Sequence, residues 1–182
     1  GYNINEIIAN SKKGNIDLVY LLGADEFDIN QLSNSFIVYQ GHHGDLGASN
    51  ADVILPGAAY PEKNSTYVNL EGRVQRASRA TFPPHEARED WTIIRALSDA
   101  LKMSLPFNNL LELRRHMENE FPTFNNIDII QHSDWKPFGS NGEIKNLSLE
   151  KPVQDFYMSD PIARASEIMG LCKEEFEKRV DS

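Results

Sequence analysis

Ala51-Asp-Val-Ile-Leu-Pro-Gly-Ala-Ala-Tyr-Pro-Glu-Lys-Asn-Ser-Thr-Tyr-Val-Asn-Leu-Glu-Gly-Arg-Val-Gln75 joins a short apolar run to a turn-rich polar loop, and that order decides the fold. The run Asp52-Val-Ile-Leu55 is stopped by Pro56-Gly57, and its continuous apolar character suits a strand covered on both faces, as in a parallel sheet. Two runs of the same kind precede it: Asp17-Leu-Val-Tyr-Leu-Leu22, ending in Gly23-Ala-Asp25, and Ser35-Phe-Ile-Val-Tyr39, ending in Gln40-Gly41. Three such strands, separated by segments of roughly ten residues, predict half of a doubly wound α/β sheet with helical crossovers. Ahead of them, Ile4 to Lys13 reads as a helix closed by Gly14, because glycine accepts the left-handed backbone that ends many helices.

Beyond the polar loop the pattern becomes helical. Ala87, Trp91, Ile94, Leu97 and Leu101 step by three or four residues and predict one helical face, with Arg88, Glu89, Arg95 and Asp99 left for water. Pro106 precedes a second stripe at Leu110, Leu113, Met117 and Phe121, ended by Pro122. Asn125 to Lys151 carries turn chemistry in Ser133-Asp-Trp-Lys-Pro137 and Gly139-Ser-Asn-Gly142 but no period, so a long surface excursion is expected there. Asp160 suits an N-cap with Pro161 in the first helical position, and Ile162, Ala165, Met169, Cys172, Phe176 and Val180 form a last stripe. The expected division is an α/β core over residues 1–105 and a helix-rich C-terminal extension over 106–182, packed as one unit, with the excursion at 125–151.

Composition narrows the function classes. Of 182 residues, 40% are hydrophobic and 25% charged, which fits an ordinary globular domain with a real core. A net charge of −9 opposes the capture of phosphate backbones, so nucleic acid is not an expected partner. No run approaches the roughly 20 apolar residues of a spanning helix, so direct membrane insertion is not expected. Cys172 is the single cysteine, whereas iron-sulfur clusters are usually held by about four thiolates, so no cluster is expected on this segment. The chain starts at Gly1 without a methionine and reads as the C-terminal part of something longer.

The opening stretch also carries a family likeness. Ala51-Asp-Val-Ile-Leu-Pro56, then Glu62, Thr66, Asn69 and Glu71-Gly-Arg73-Val-Gln75, resembles the late catalytic-subunit region of the molybdopterin oxidoreductase superfamily. With Tyr39-Gln-Gly-His-His-Gly-Asp45 before it and Ala87-Arg-Glu-Asp-Trp-Thr-Ile-Ile-Arg-Ala-Leu97 after it, the wording is similar to one branch, the large iron-sulfur subunit of respiratory complex I. That branch keeps the fold and has lost the molybdenum cofactor. The likeness is strong from Phe36 to Leu105 and returns at Asp155-Phe-Tyr-Met158 and Ala163-Arg-Ala-Ser166.

The resemblance implies a Rossmann-like parallel-sheet portion of a molybdopterin-oxidoreductase-like domain, acting as a non-catalytic scaffold with no cofactor of its own. It further implies a parent chain whose N-terminal region carries 2Fe-2S and 4Fe-4S clusters and passes electrons from NADH toward quinone. Expected partners are that N-terminal iron-sulfur domain and other hydrophilic-arm subunits of NADH:quinone oxidoreductase. The expected location is peripheral, on the cytoplasmic face of a bacterial inner membrane or the matrix side of the mitochondrial one. The alternative is a cofactor-binding fragment of a true, formate-dehydrogenase-like molybdopterin oxidoreductase.

Candidate residues follow from both readings. Gly41-His-His-Gly44-Asp-Leu-Gly47 follows a strand, where a phosphate loop would belong, but two residues separate its first glycines instead of one, and a glycine-permitted turn is the expectation. His42, His43 and Asp45 bear ligand-type side chains, yet neighbours on one backbone rarely converge on a metal, and no metal site is expected. In cofactor-bearing relatives the positions matching Glu62, Thr66, Asn69, Glu71 and Arg73 line or brace the pterin. Without a pterin the same groups are expected to satisfy one another and the loop backbone. Arg73, Arg76 and Arg79 form a basic cluster which, with His42 and His43, is a candidate subunit contact. Trp91, Phe107 and Phe121 are expected in the core, and Cys172 as a buried, inert thiol. No nucleophile-base pairing is recognisable, so no catalytic residue is expected.

Overall fold

The computed structural model describes residues 1–132, 134–143, 146 and 155–180. Parts of the excursion expected over 125–151, and the Val180 side chain at the end of the last stripe, lie outside the described residues. Two compact units divide the chain, Gly1–Gln131 and His132–Ser182.

The first unit is α/β. Helix α1 (Ile4–Lys12) starts in a reciprocal cap: the Glu6 N–H donates to Asn3 Oδ1 at 3.0 Å and the Asn3 N–H to Glu6 Oε2 at 2.8 Å. It stops before Gly14, whose φ of +71° is the left-handed conformation that glycine tolerates. Strands β1 (Leu18–Leu22), β2 (Phe36–Gly41) and β3 (Val53–Pro56) then form a parallel sheet in the order β1-β2-β3. The register pairs Leu18 with Phe36, Tyr20 with Val38, and Val38 with Val53. The crossovers have about the expected length but hold less helix than expected: a 3-10 turn at Ile29–Leu32, then the four-residue helix α2 (Leu46–Ser49).

Because strand side chains alternate, the sheet has two chemically separate faces. On one, Leu21, Ile37 and Tyr39 pack with Ile29 and Leu32 from the crossover, and Ile7, Ile8, Val19 and Ala48 close around them. On the other, Val38 and Gln40 are buried while Leu18, Leu22, Phe36 and Val53 remain exposed. Only β2 is buried along most of its length, so the expectation of cover on both faces of every strand does not hold within this unit.

An antiparallel hairpin follows, β4 (Ser65–Val68) with β5 (Val74–Ala77), pairing Thr66 with Arg76 and Val68 with Val74. Helices α3 (Asp90–Ala100) and α4 (Leu110–Glu120) complete the unit. The first unit runs on to Gln131, with its last segment tied to the hairpin. Arg76 pairs with Glu118 at 2.7 Å, and the Asp128 N–H donates to the Val74 carbonyl at 2.8 Å.

Three expectations are corrected. Arg95 is not left for water: its Nε donates to the Phe107 carbonyl at 2.7 Å and its guanidinium holds Asp99 at 2.5 Å. Trp91 and Phe107 do pack, with ring centroids 6.5 Å apart, but Phe121 lies exposed at the end of α4. The last stripe is two helices rather than one.

Those two belong to the second unit. Helix α5 (Pro161–Arg164) is capped by Asp160, which accepts from the Ile162 and Ala163 N–H groups, and α6 (Glu167–Val180) follows. Lys173 holds Asp155 at 2.6 Å and keeps that carboxyl below its ordinary range. Cys172 is half-buried rather than buried, and the Tyr157 and Phe176 rings lie 6.1 Å apart.

Candidate functional site

The carboxyl ends of β2 and β3 open on a cavity of about 620 Å³, whose lining includes Gly41, His42, His43, Ile54, Glu62 and His85. In open α/β sheets this is the position where ligands bind. The glycines there serve the protein itself. A Cβ on Gly41 or on Gly47 would collide with the Tyr39 ring, which is buried. Neither glycine, nor Gly44, has a positive φ. The close approach these glycines permit is therefore taken up by a side chain of β2, which explains a Gly-rich turn without a phosphate.

His42 and His43 meet edge to face, with Nδ1 atoms 2.7 Å apart, so one ring donates and the other accepts. Desolvation at the cavity mouth, then the neighbouring His43 and Lys63, push His42 below its ordinary value, while Asp90 and Glu62 pull it back. Asp45 turns away to a different task, accepting the Leu46 N–H at the start of α2. Among the described residues, no three His, Cys, Asp or Glu side chains are placed to hold a metal ion.

Beneath the cavity runs a polar chain that sequence reasoning missed. The Tyr20 hydroxyl donates to Gln40 Oε1, Gln40 Nε2 donates to Asp90 Oδ1 at 2.9 Å, and Lys63 pairs with the other oxygen of Asp90. Burial, with Asp90 second, raises the Tyr20 hydroxyl above its ordinary value and holds it neutral. Gly57 makes room for this junction, since a Cβ there would lie 2.9 Å from Asp90 Oδ1. The chain connects β1, β2, the turn before β4 and the start of α3. One polar Gln at the end of an apolar strand was the available signal.

The residues matched to the pterin region separate into distinct groups. Glu62 accepts the Ala59 N–H at 2.9 Å, closing the turn Tyr60–Glu62, and lines the cavity above the sheet. Thr66 lines a different cavity of about 280 Å³, between the hairpin and α4, together with Trp91, Leu113 and Arg114. Asn69 organises the hairpin turn: Oδ1 accepts the N–H groups of Glu71 at 3.0 Å and Arg73 at 2.9 Å, and Nδ2 donates to Glu71 at 3.2 Å. Arg73 lies 3.7 Å from Glu71 and donates to the Asp128 carbonyl at 3.4 Å. Asn69, Glu71 and Arg73 line neither cavity.

The basic cluster is likewise matched by acids. Beyond the Arg73–Glu71 and Arg76–Glu118 pairs, Arg79 lies 3.9 Å from Glu89 and stacks over the Phe82 ring at 4.3 Å. Within the described residues no helix is long and apolar enough to cross a membrane.

Comparison with known proteins bears on the fold and the family. The molybdopterin oxidoreductase family matches residues 1–100, and the C-terminal family of the NADH-ubiquinone oxidoreductase G-type subunit matches residues 130–172. The G-type subunit of NADH-quinone oxidoreductase from Rickettsia bellii is 42% identical over 96% of this chain and 26% of the relative. The mitochondrial NADH-ubiquinone oxidoreductase 78 kDa subunit of Candida albicans is 43% identical over 97% of this chain and 26% of that protein. The NADH-ubiquinone oxidoreductase 75 kDa subunit of Reclinomonas americana is 44% identical over 92% and 25%. The chain thus spans about a quarter of the length of these relatives. Among solved structures, acetylene hydratase from Pelobacter acetylenicus superposes with a TM-score of 0.53 at 18% identity, covering 62% of this chain and 18% of that one, a likeness of fold. With the family model matching residues 1–100, more than half of the 182 residues, the chain belongs to the molybdopterin oxidoreductase family.

Proposed function

We propose that this segment is a structural, non-catalytic part of the iron-sulfur electron-transfer subunit of an NADH:quinone oxidoreductase. The observation that carries this reading is the continuity of the likeness, which runs through the α/β core and on into the NADH-ubiquinone oxidoreductase module at residues 130–172. A formate-dehydrogenase-like reading gives no reason for that second match.

The geometry adds support. A pterin needs donors and acceptors that face one site. Here Glu62, Asn69 and Arg73 bond to backbone or to near neighbours, while Glu62 and Thr66 line separate cavities. This donor set does not fit a fused-ring cofactor. The proposed work is support: a rigid polar turn and a packed sheet that shield a cluster-bearing region of the same longer chain and present a surface to hydrophilic-arm neighbours. His42, His43, Arg73, Arg76 and Arg79 belong to that proposed surface. Clusters of the 2Fe-2S and 4Fe-4S type would sit in the rest of the parent chain. The complex would lie peripherally on the bacterial cytoplasmic or mitochondrial matrix side.

The test is Asn69→Ala and Arg73→Gln in the full-length subunit within its complex. The expected result is a lower unfolding temperature with NADH:quinone turnover per assembled complex within about twofold of wild type. Turnover abolished in a fully assembled complex would contradict the structural role.

A further inference from the structure

We infer that the sheet face opposite α1 is a docking surface for an apolar layer supplied by another part of the same longer polypeptide. The inference rests on the reading above that the 182 residues belong to such a chain. Leu18 and Leu22 of β1, Phe36 of β2 and Val53 of β3 share that face by register, and they are 54%, 53%, 48% and 40% exposed. Four large apolar side chains on one parallel sheet are not an ordinary solvent face. Parallel strands with continuous apolar sequences are covered on both sides.

Within the first unit, Gly1–Gln131, the crossovers do not supply that cover. Strand-to-strand connections in a parallel sheet are right-handed, so successive connections that step in one direction all lie on one face. Here Ile7 and Ile8 of α1, Ile29 and Leu32 of the first crossover, and Ala48 of α2 all pack with Leu21, Ile37 and Tyr39. That uses the other face. Asp90 at the start of α3 reaches Gln40, and through it Tyr20, closing the face over β2 near its carboxyl end while Leu22 of β1 stays exposed. The amino-terminal half, around Leu18 and Phe36, stays open.

The occupant is argued from length and chemistry. About three quarters of each relative's length lies outside the matched segment, since 26% of the Rickettsia bellii protein is covered. The bare residues are uncharged, and strands that wind the opposite way from a switch point place their helices on this second face. The partner is therefore an amphipathic helical layer of the parent chain, its apolar stripe across Leu18, Leu22 and Phe36. This puts the surface to use as the joint between the present segment and the remainder of its polypeptide.

Two measurements on the full-length protein decide it. Hydroxyl-radical footprinting of the unmodified protein is expected to oxidise Phe36 and Leu22 about tenfold more slowly than in the denatured protein, at concentrations where the protein is monomeric. Phe36 replaced by the photoreactive p-benzoylphenylalanine is expected to capture a peptide of the same polypeptide from outside these 182 residues. Oxidation near the denatured rate overturns the proposal. So does protection lost on dilution, which marks a second copy, and so does capture of another subunit or of a peptide within the segment. Neither readout depends on iron content or NADH turnover, so this surface and the electron-transfer reading fail separately.

Discussion

The two faces of the three-stranded sheet have similar sequences and opposite fates. On the α1 face, Leu21, Ile37 and Tyr39 are buried with Ile29 and Leu32; on the other, Leu18, Leu22, Phe36 and Val53 meet solvent. The difference teaches that strand composition records the environment a strand is built for, while connection handedness decides which face the nearby chain can fill. Polar groups obey a third rule. Where the bare face is closed, it is closed by hydrogen bonds through Tyr20, Gln40 and Asp90 rather than by apolar packing.

The contrast is sharpest in a pair of truncations. Leu32→Ala removes a fully buried side chain of the filled face and is expected to lower the unfolding free energy by about 3 kcal/mol in a urea titration. Leu18→Ala in the same 182-residue chain should cost less than about 1 kcal/mol, because its side chain already meets water. Equal losses would break the comparison. Next in size is Gly47→Val, whose added methyl groups would strike the Tyr39 ring and cost about 2–3 kcal/mol by the same measurement. Gln40→Leu leaves the Tyr20 hydroxyl without its acceptor and is expected to cost about 2 kcal/mol, with a smaller loss when combined with Tyr20→Phe.

Much of the fold was legible because its signals were local. Continuous apolar runs marked three strands within a residue or two of their bounds, and Gly14 and Asp160 marked a helix end and a helix start through backbone chemistry. The break between α5 and α6 was hidden, since Ala165 and Ser166 interrupt the helix without disturbing its apolar period. The candidate site was less legible. Asn69, Glu71 and Arg73 come together through a turn that their spacing suggests, but Gln40, Lys63 and Asp90 meet only through tertiary packing. Arg95 misled for the same reason. Its charge marks it for solvent, yet the Phe107 carbonyl claims it from the loop that follows α3, beyond the reach of any helical period.

Smaller effects sharpen the account of the polar turn and the cavity mouth. Asn69→Ala frees two backbone N–H groups and one carboxylate contact on an exposed hairpin, and should cost about 1 kcal/mol. The smallest effect belongs to His42. Its folded value is lowered, so below the ordinary histidine value the unfolded chain binds more protons and stability falls as pH drops toward the folded value. His42→Gln should flatten that part of the stability-pH curve and leave the curve above it unchanged, as followed by thermal unfolding across the range.

The central claim, that this family member braces an electron-transfer chain rather than holding a pterin, is tested most directly by counting iron, molybdenum and extractable pterin in the intact native parent protein. The account predicts iron with neither molybdenum nor pterin. Stoichiometric molybdenum with a pterin would contradict it, and would make Glu62, Thr66, Asn69, Glu71 and Arg73 cofactor contacts.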